Sequence, residues 1–145
     1  MIIFRQGNIF DSEAKALVNP VNTVGVMGKG LALEFKKRYP ESYKNYVEVC
    51  SSGFFDVGKT ILYSENGKYI INVPTKKHWK DPSKLEWIES GLKSLCNKVL
   101  FLNCSVAIPA LGCGNGGLEW PEVKPLIESI MVLDTEVQVY EPSGL

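Results

Sequence analysis

Residues 104–111, "CSVAIPAL", are continuous in small and apolar side chains, the pattern of a strand covered on both faces. Such cover requires helices on each side of a sheet, and the stretch directly before it supplies one. Leu85, Ile88, Leu92, Leu95, Val99 and Leu102 keep a helical period. Ser83 and Glu86 spell an S-x-x-E capping box that starts this helix near Lys84. Gly91 inside the stripe costs about 1 kcal/mol relative to alanine unless close packing demands it.

The rest of the chain continues the alternation. "MIIFR" and "KALVNP" read as strands, with a turn and a short helical piece in "GNIFDSE" between them. Leu31, Phe35 and Tyr39 form one helical stripe, with Glu34, Lys36, Lys37 and Arg38 on the outer side. Pro40 stops that helix and opens another. "KTILYS" and "KYIINV" flank Glu65-Asn66-Gly67, a hairpin signal. Pro121 starts a last helix with Val123, Ile127, Ile130 and Met131 inward, and "TEVQVYE" alternates as a closing strand. This is an α/β chain, expected as a three-layer α/β/α sandwich around a central mixed sheet of about six strands.

A length of 145 residues suits one domain over 1–145 with a sizeable core. No stretch approaches the ~20 apolar residues of a membrane span, and "MIIFRQGN" turns polar too soon for a signal peptide. Cys50, Cys96, Cys104 and Cys113 lack CxxC spacing, and the single His78 completes no evident zinc site. No metal and no cofactor are expected, and scattered thiols point to a cytoplasmic protein. Sixteen basic residues balance sixteen acidic ones, so no overall basic field advertises nucleic acid.

Function is expected where loops gather at the carboxyl ends of strands. "NPVNTVGVMGKG" opens directly into a helix, where unpaired N–H groups and the helix dipole favour an anion. It is not Walker A, because the gap between its glycines is too short and Gly30 replaces the hydroxyl residue. Nor is it a Rossmann fingerprint, since Leu33 stands in the third glycine's place. "GCGNGG" reads either as a flexible turn or as a second loop whose N–H groups surround a phosphate. Together the two loops make a two-sided clamp for a diphosphate, without a magnesium ligand. Asn19 and Asn22, at a strand end, either contact ribose hydroxyls or form turns.

"TKKHWK" is the third loop. Lys76 follows Thr75 at a strand end and is expected to face the same crevice, as a nucleophile of lowered pKa or as a solvated surface cation. Lys77, Lys80 and Trp79 suit a phosphodiester and a stacked base, although Trp79 also suits a core anchor. His78 is either a general acid or a surface histidine.

"QGN", "ALVNPVN" with "GVMGKG", and "IPALGCGNGGLEW" resemble, in order, the ADP-ribose-binding segments of the macrodomain family. The resemblance covers essentially the whole chain. More narrowly, "VNTVGVMGKGLALEFKKRYP", "PTKKHW" and "GCGNGGLEW" look like the branch holding DarG-type antitoxin macrodomains and terminal ADP-ribose protein glycohydrolase. That resemblance implies ADP-ribose contacts from Gly7, Asn8 and Ile9, then Asn19 and Asn22. It extends them to Gly25, Val26, Met27, Gly28, Lys29 and Gly30, to Thr75, and to Leu111, Gly112, Cys113, Gly114, Asn115 and Gly116. It makes Lys76 catalytic; Lys77, His78, Trp79 and Lys80 remain, from their charge and stacking capacity, the candidates for nucleic-acid contact.

Two departures stand out. Asn8 occupies the position of an aspartate that accepts from the adenine amine, and Gly116 that of an aspartate that resolves the lysine adduct in the human-type enzyme. The implied activity is removal of ADP-ribose from thymidine-linked, single-stranded DNA, reversing a DarT-like toxin. The alternatives are release from a protein carboxylate, hydrolysis of ADP-ribose 1″-phosphate, or binding of ADP-ribose without turnover. The implied partners are ADP-ribose, ADP-ribosylated DNA or protein, and a toxin; no membrane is expected.

Overall fold

The computed structural model describes residues 1–143, so the single-domain expectation for 1–145 leaves Gly144 and Leu145 outside the described residues. Six strands form one sheet: β1 (Ile2–Arg5), β2 (Ala16–Val21), β3 (Ile61–Glu65), β4 (Lys68–Pro74), β5 (Val106–Ile108) and β6 (Val137–Tyr140). Their order is β1-β6-β5-β2-β4-β3. All neighbours are parallel except β3, which returns antiparallel to β4 through the Asn66-Gly67 turn. The sheet is mixed, as expected, and both turn residues take positive φ.

Helices α3 (Leu85–Leu102) and α4 (Trp120–Ile130) cover one face, and α1 (Gly30–Arg38) with α2 (Pro40–Ser51) the other. Ile88, Leu92, Leu95 and Val99 pack on Val18, Ile71, Val73, Ile108 and Val139. On the opposite side Phe35 meets Leu17, Ile70 and Ala107, while Tyr46 and Met27 close over Val21. Successive residues of one strand thus enter opposite cores, which is why β5 carries no polar position. Gly91 fits the close-packing condition, because a Cβ there would lie 2.9 Å from Val73 Cγ1.

One local expectation fails. Ser83 is not a cap: Lys84 precedes the first turn of α3 without a side-chain cap, and the Ser83 hydroxyl is buried without a partner. Its backbone N–H is drawn instead to the Gly116 carbonyl at 2.8 Å. The closing strand forms as expected at β6, with all four residues buried and Gln138 Oε1 accepting from Ser12 Oγ.

Strand order sets the site. β2 and β5 are neighbours, yet the chain leaves β2 for α1 on one face and β5 for α4 on the other. Diverging connections open a crevice above the carboxyl ends of these two strands.

Candidate active site

The loop after β2 is organised by one side chain. Asn22 Oδ1 accepts from the Val24 N–H (3.1 Å), the Val26 N–H (3.3 Å) and the Tyr46 hydroxyl (2.7 Å). Its Nδ2 donates to the Val26 carbonyl at 2.8 Å. The loop ends at Lys29, which leaves the first turn of α1 without a side-chain cap. N–H groups that have no intrahelical partner therefore remain available where Lys29, Leu31 and Ala32 line the cleft.

The loop after β5 folds back through a Leu118 N–H bond to the Gly112 carbonyl, 2.9 Å. Gly112 has φ +76°, and a Cβ there would stand 2.8 Å from Leu118 Cδ1 and 2.9 Å from Ile88 Cδ1. Only glycine serves both demands. The two glycine loops touch, since a Cβ on Gly30 would come within 3.2 Å of Asn115 Nδ2.

The loop after β4 bridges them. The Thr23 N–H and hydroxyl donate to the Lys77 carbonyl at 3.2 and 2.7 Å, and the Ser83 N–H bond to Gly116 ties down the other end. Between these anchors Lys76 Nζ donates to the Asn115 carbonyl at 2.9 Å and to the Trp79 carbonyl at 3.3 Å. Partial burial lowers its pKa from the ordinary lysine value, the nearby Lys29 cation lowers it further, and Asp81 opposes both. An amine so placed gives up its proton more readily than a solvated lysine.

These loops enclose a cleft of about 200 Å³. Asn22, Val26, Gly28, Lys29, Thr75, Lys76, Trp79, Gly112, Cys113, Asn115 and Gly116 line it. A second hollow of about 370 Å³ holds Gly7, Asn8, Ile9, Tyr140, Glu141, Pro142 and Ser143, and it shares Leu31, Pro109 and Ala110 with the first. The pair forms one trough, with Asn8 at one end and Lys76 at the other. Asn8 Oδ1 accepts from the Phe10 N–H at 2.9 Å, which leaves its second lone pair for a ligand. Among the described residues no cluster of three or more His, Cys, Asp or Glu side chains is placed to hold a metal ion.

Several sequence candidates lie elsewhere. Asn19 is fully buried and spends its Nδ2 on Asn72 Oδ1 at 3.0 Å, so it makes no ribose contact in this arrangement. Met27 and Leu111 are core residues, and Gly25, Gly30 and Gly114 shape the loops without lining the cleft. Trp79 is 43% exposed and anchors no core. Lys77, His78 and Lys80 stand outside the trough, and His78 Nδ1 accepts from the Lys80 N–H. Sequence reading missed the shared floor of Leu31, Pro109 and Ala110, which carries no polar signal. It also missed Glu141, whose carboxyl the Trp120 indole N–H holds below its ordinary pKa range at 2.9 Å.

The Macro domain family model matches residues 18–127. The chain belongs to the macro domain family. A DNA ADP-ribosyl glycohydrolase of Thermus aquaticus is 48% identical over 98% of this chain. The macrodomain spans about two fifths of that relative's length, 41%. A fusion protein of Thermosipho africanus, named DNA ADP-ribosyl transferase-DNA ADP-ribosyl glycohydrolase, is 37% identical over 94% of this chain and 41% of its own. Among solved structures, the macrodomain of Thermus aquaticus DarG aligns with a TM-score of 0.92, 48% identity, and coverage of 98% and 99% of the two chains. Thermosipho africanus DarTG in complex with ADP-ribose aligns with a TM-score of 0.91 and 36% identity, covering 99% of this macrodomain and 42% of that chain. Among the described residues of the macrodomain no helix is long and apolar enough to cross a membrane.

Proposed function

We propose that this macrodomain is a lysine-dependent, metal-independent glycohydrolase that removes ADP-ribose from thymidine-linked DNA. The observation that carries the reading is the Lys76 amine, tied to Asn115 of the second glycine loop at 2.9 Å and lining a cleft with both loops. The trough suits ADP-ribose. N–H groups of the two loops take the diphosphate, the Asn8 end takes adenine, and the distal ribose then falls beside Lys76. The 48% identity to a Thermus aquaticus DNA ADP-ribosyl glycohydrolase supports DNA as the acceptor.

In the chemistry this implies, unprotonated Lys76 Nζ attacks C1″, and the bond from C1″ to the thymine nitrogen breaks. The base departs with its electron pair and takes up a proton. Water then hydrolyses the lysine adduct, releasing ADP-ribose and restoring the amine. Fixing the reacting groups in place supplies several kcal/mol of such a rate gain, on the order of effective-molarity effects. The Thermosipho fusion supports pairing with a DNA-modifying toxin, and a cytoplasmic site of action is in keeping with that partnership.

The test is release of free ADP-ribose from ADP-ribosylated single-stranded DNA, read by mass spectrometry with and without a chelator. Release by the native protein and none by Lys76→Ala is the expected result. Full cleavage by Lys76→Ala removes the lysine from the chemistry, and loss with chelator removes metal independence. Release only from a glutamate-linked protein or from ADP-ribose 1″-phosphate reassigns the substrate. Tight ADP-ribose binding with no turnover makes the domain a reader.

A further inference from the structure

We propose that the surface running from Trp79 to the first turn of α3 is a track for single-stranded DNA, holding nucleotides that flank the modified base. The inference rests on the DNA reading above and deepens it. Charge is the first observation. The chain as a whole is balanced, sixteen basic against sixteen acidic residues, yet the segment from Lys76 to Lys84 carries four lysines and one aspartate. The imbalance is local and lies at the catalytic mouth of the cleft.

Aromatic placement is the second. Trp79 lines the cleft and is 43% exposed, and His78 lies beside it with ring centroids 5.3 Å apart. Lys80 Nζ sits over the Trp79 ring at 5.1 Å. Beyond the cleft, Trp87 in the first turn of α3 repeats the arrangement, with Lys84 Nζ at 5.1 Å and Lys77 Nζ at 5.8 Å from its ring. Two indoles with lysines over them therefore stand in succession, Trp79 on the loop and the half-buried Trp87 in the first turn of α3. At exposed sites such a cation is weakly held and readily displaced. A base arriving on the ring can take the lysine's place, and the freed ammonium then meets the adjoining phosphate.

Rigidity is the third. The loop backbone is pinned at Lys77 by Thr23, at Ser83 by Gly116, and internally by an Asp81 N–H bond to the His78 carbonyl. The platform is thus preformed. Stacking of this kind needs an unpaired base, because a duplex presents only its edges and backbone. A modified thymine whose sugar reaches Lys76 stands at the mouth beside Trp79, and the continuing strand passes towards Trp87.

The experiment uses unmodified, fluorescein-labelled oligothymidine of about ten nucleotides, with binding followed by anisotropy across a salt series. Trp87→Leu should weaken binding about tenfold, and Lys84→Gln should make the logarithmic salt dependence shallower by ~0.7. With ADP-ribosylated substrates, the oligonucleotide should show a lower KM than ADP-ribosylated thymidine mononucleoside. Trp87→Leu/Lys84→Gln should erase that advantage and leave mononucleoside cleavage unchanged. Native affinity and salt slope in both variants would overturn the track, as would equal binding of a duplex or of an RNA of the same sequence. If the native protein cleaves no DNA substrate yet the variants lose oligothymidine, the track stands and the glycohydrolase reading falls. Cleavage that is indifferent to substrate length has the opposite meaning. Lys84→Gln alters only an exposed side chain, so its salt slope decides the matter even if Trp87→Leu fails to fold.

Discussion

A Cβ on Gly116 would stand 2.5 Å from Ser83 Oγ and 3.1 Å from Ser83 Cβ. The Ser83 N–H also bonds the Gly116 carbonyl at 2.8 Å, so the two backbones are locked at contact and neither can retreat. The contact gives a physical reason for glycine at this position, because an added Cβ would press on the Ser83 side chain. Gly116→Ala should cost about 1–3 kcal/mol through overpacking, or several degrees in Tm. Ser83→Gly should restore most of the loss in the double variant, because the Ser83 hydroxyl is buried without a hydrogen bond to forfeit. Calorimetry on the native protein, both single variants and the double variant checks this; strictly additive losses would contradict the contact.

Lys76 gives a pH prediction. Its pKa is lowered by burial first and by Lys29 second. Over the range between that lowered value and the ordinary lysine value the unfolded chain binds more protons than the folded one, so Lys76's contribution to stability rises with pH there. Under the proposed reading activity rises with the same titration, because the neutral amine is the nucleophile. The rate kcat/KM should climb with pH and level off below the ordinary lysine pKa. Lys76→Arg keeps the charge but cannot lose its proton, and it should be at least about 100-fold slower at every pH. A profile that is flat from neutral to alkaline pH would remove the amine from the rate-determining step.

The sheet was legible in the chain because its signals are local and redundant. Asn66-Gly67 demands positive φ at both positions and received it, and the α3 stripe from Ile88 to Val99 is buried throughout. The three loops followed from where strands end. What failed depended on neighbours distant in sequence. Nothing near Ser83 in the chain announces that Gly116 will claim its backbone. Asn19 reads as a strand-end carboxamide, but the β2–β4 register sets it directly beside Asn72, and the two amides pair inside the sheet. Leu31, Pro109 and Ala110 form the trough's floor through tertiary packing alone, and apolar residues carry no chemical flag.

Gly112 and Gly114 share positive φ, +76° and +66°, but differ in their surroundings. A Cβ at Gly112 would collide with Leu118 and Ile88, whereas one at Gly114 meets nothing within 4 Å. Gly114→Ala should therefore cost only the left-handed backbone strain, about 1–2 kcal/mol. Gly112→Ala should cost that plus about 1–3 kcal/mol of overpacking. Under the proposed reading it should also weaken ADP-ribose, because Gly112 lines the cleft and Gly114 does not. Paired melting curves and titration calorimetry separate the two, and equal losses at both sites would refute the distinction.

The Tyr46 hydroxyl, buried beneath the first loop, donates to Asn22 Oδ1 at 2.7 Å, and burial pushes its own pKa far above the ordinary phenol range. The phenol therefore stays protonated at any working pH and remains a donor. Through it, α2 steadies the carboxamide that holds the Val24 and Val26 N–H groups in place. Tyr46→Phe removes one buried donor, with a stability cost of about 1–2 kcal/mol. Asn22→Ala should be worse, since it leaves two loop N–H groups without their acceptor, while the Tyr46 hydroxyl keeps only the residue-22 backbone carbonyl at 2.9 Å. If the loop grips a diphosphate through its N–H groups, ADP-ribose affinity should fall in the same order, by about tenfold for Asn22→Ala. Titration calorimetry reads the affinity and thermal melting the stability. A destabilised Asn22→Ala that binds ADP-ribose as tightly as the native protein would show that the N–H groups this carboxamide arranges do not hold the ligand.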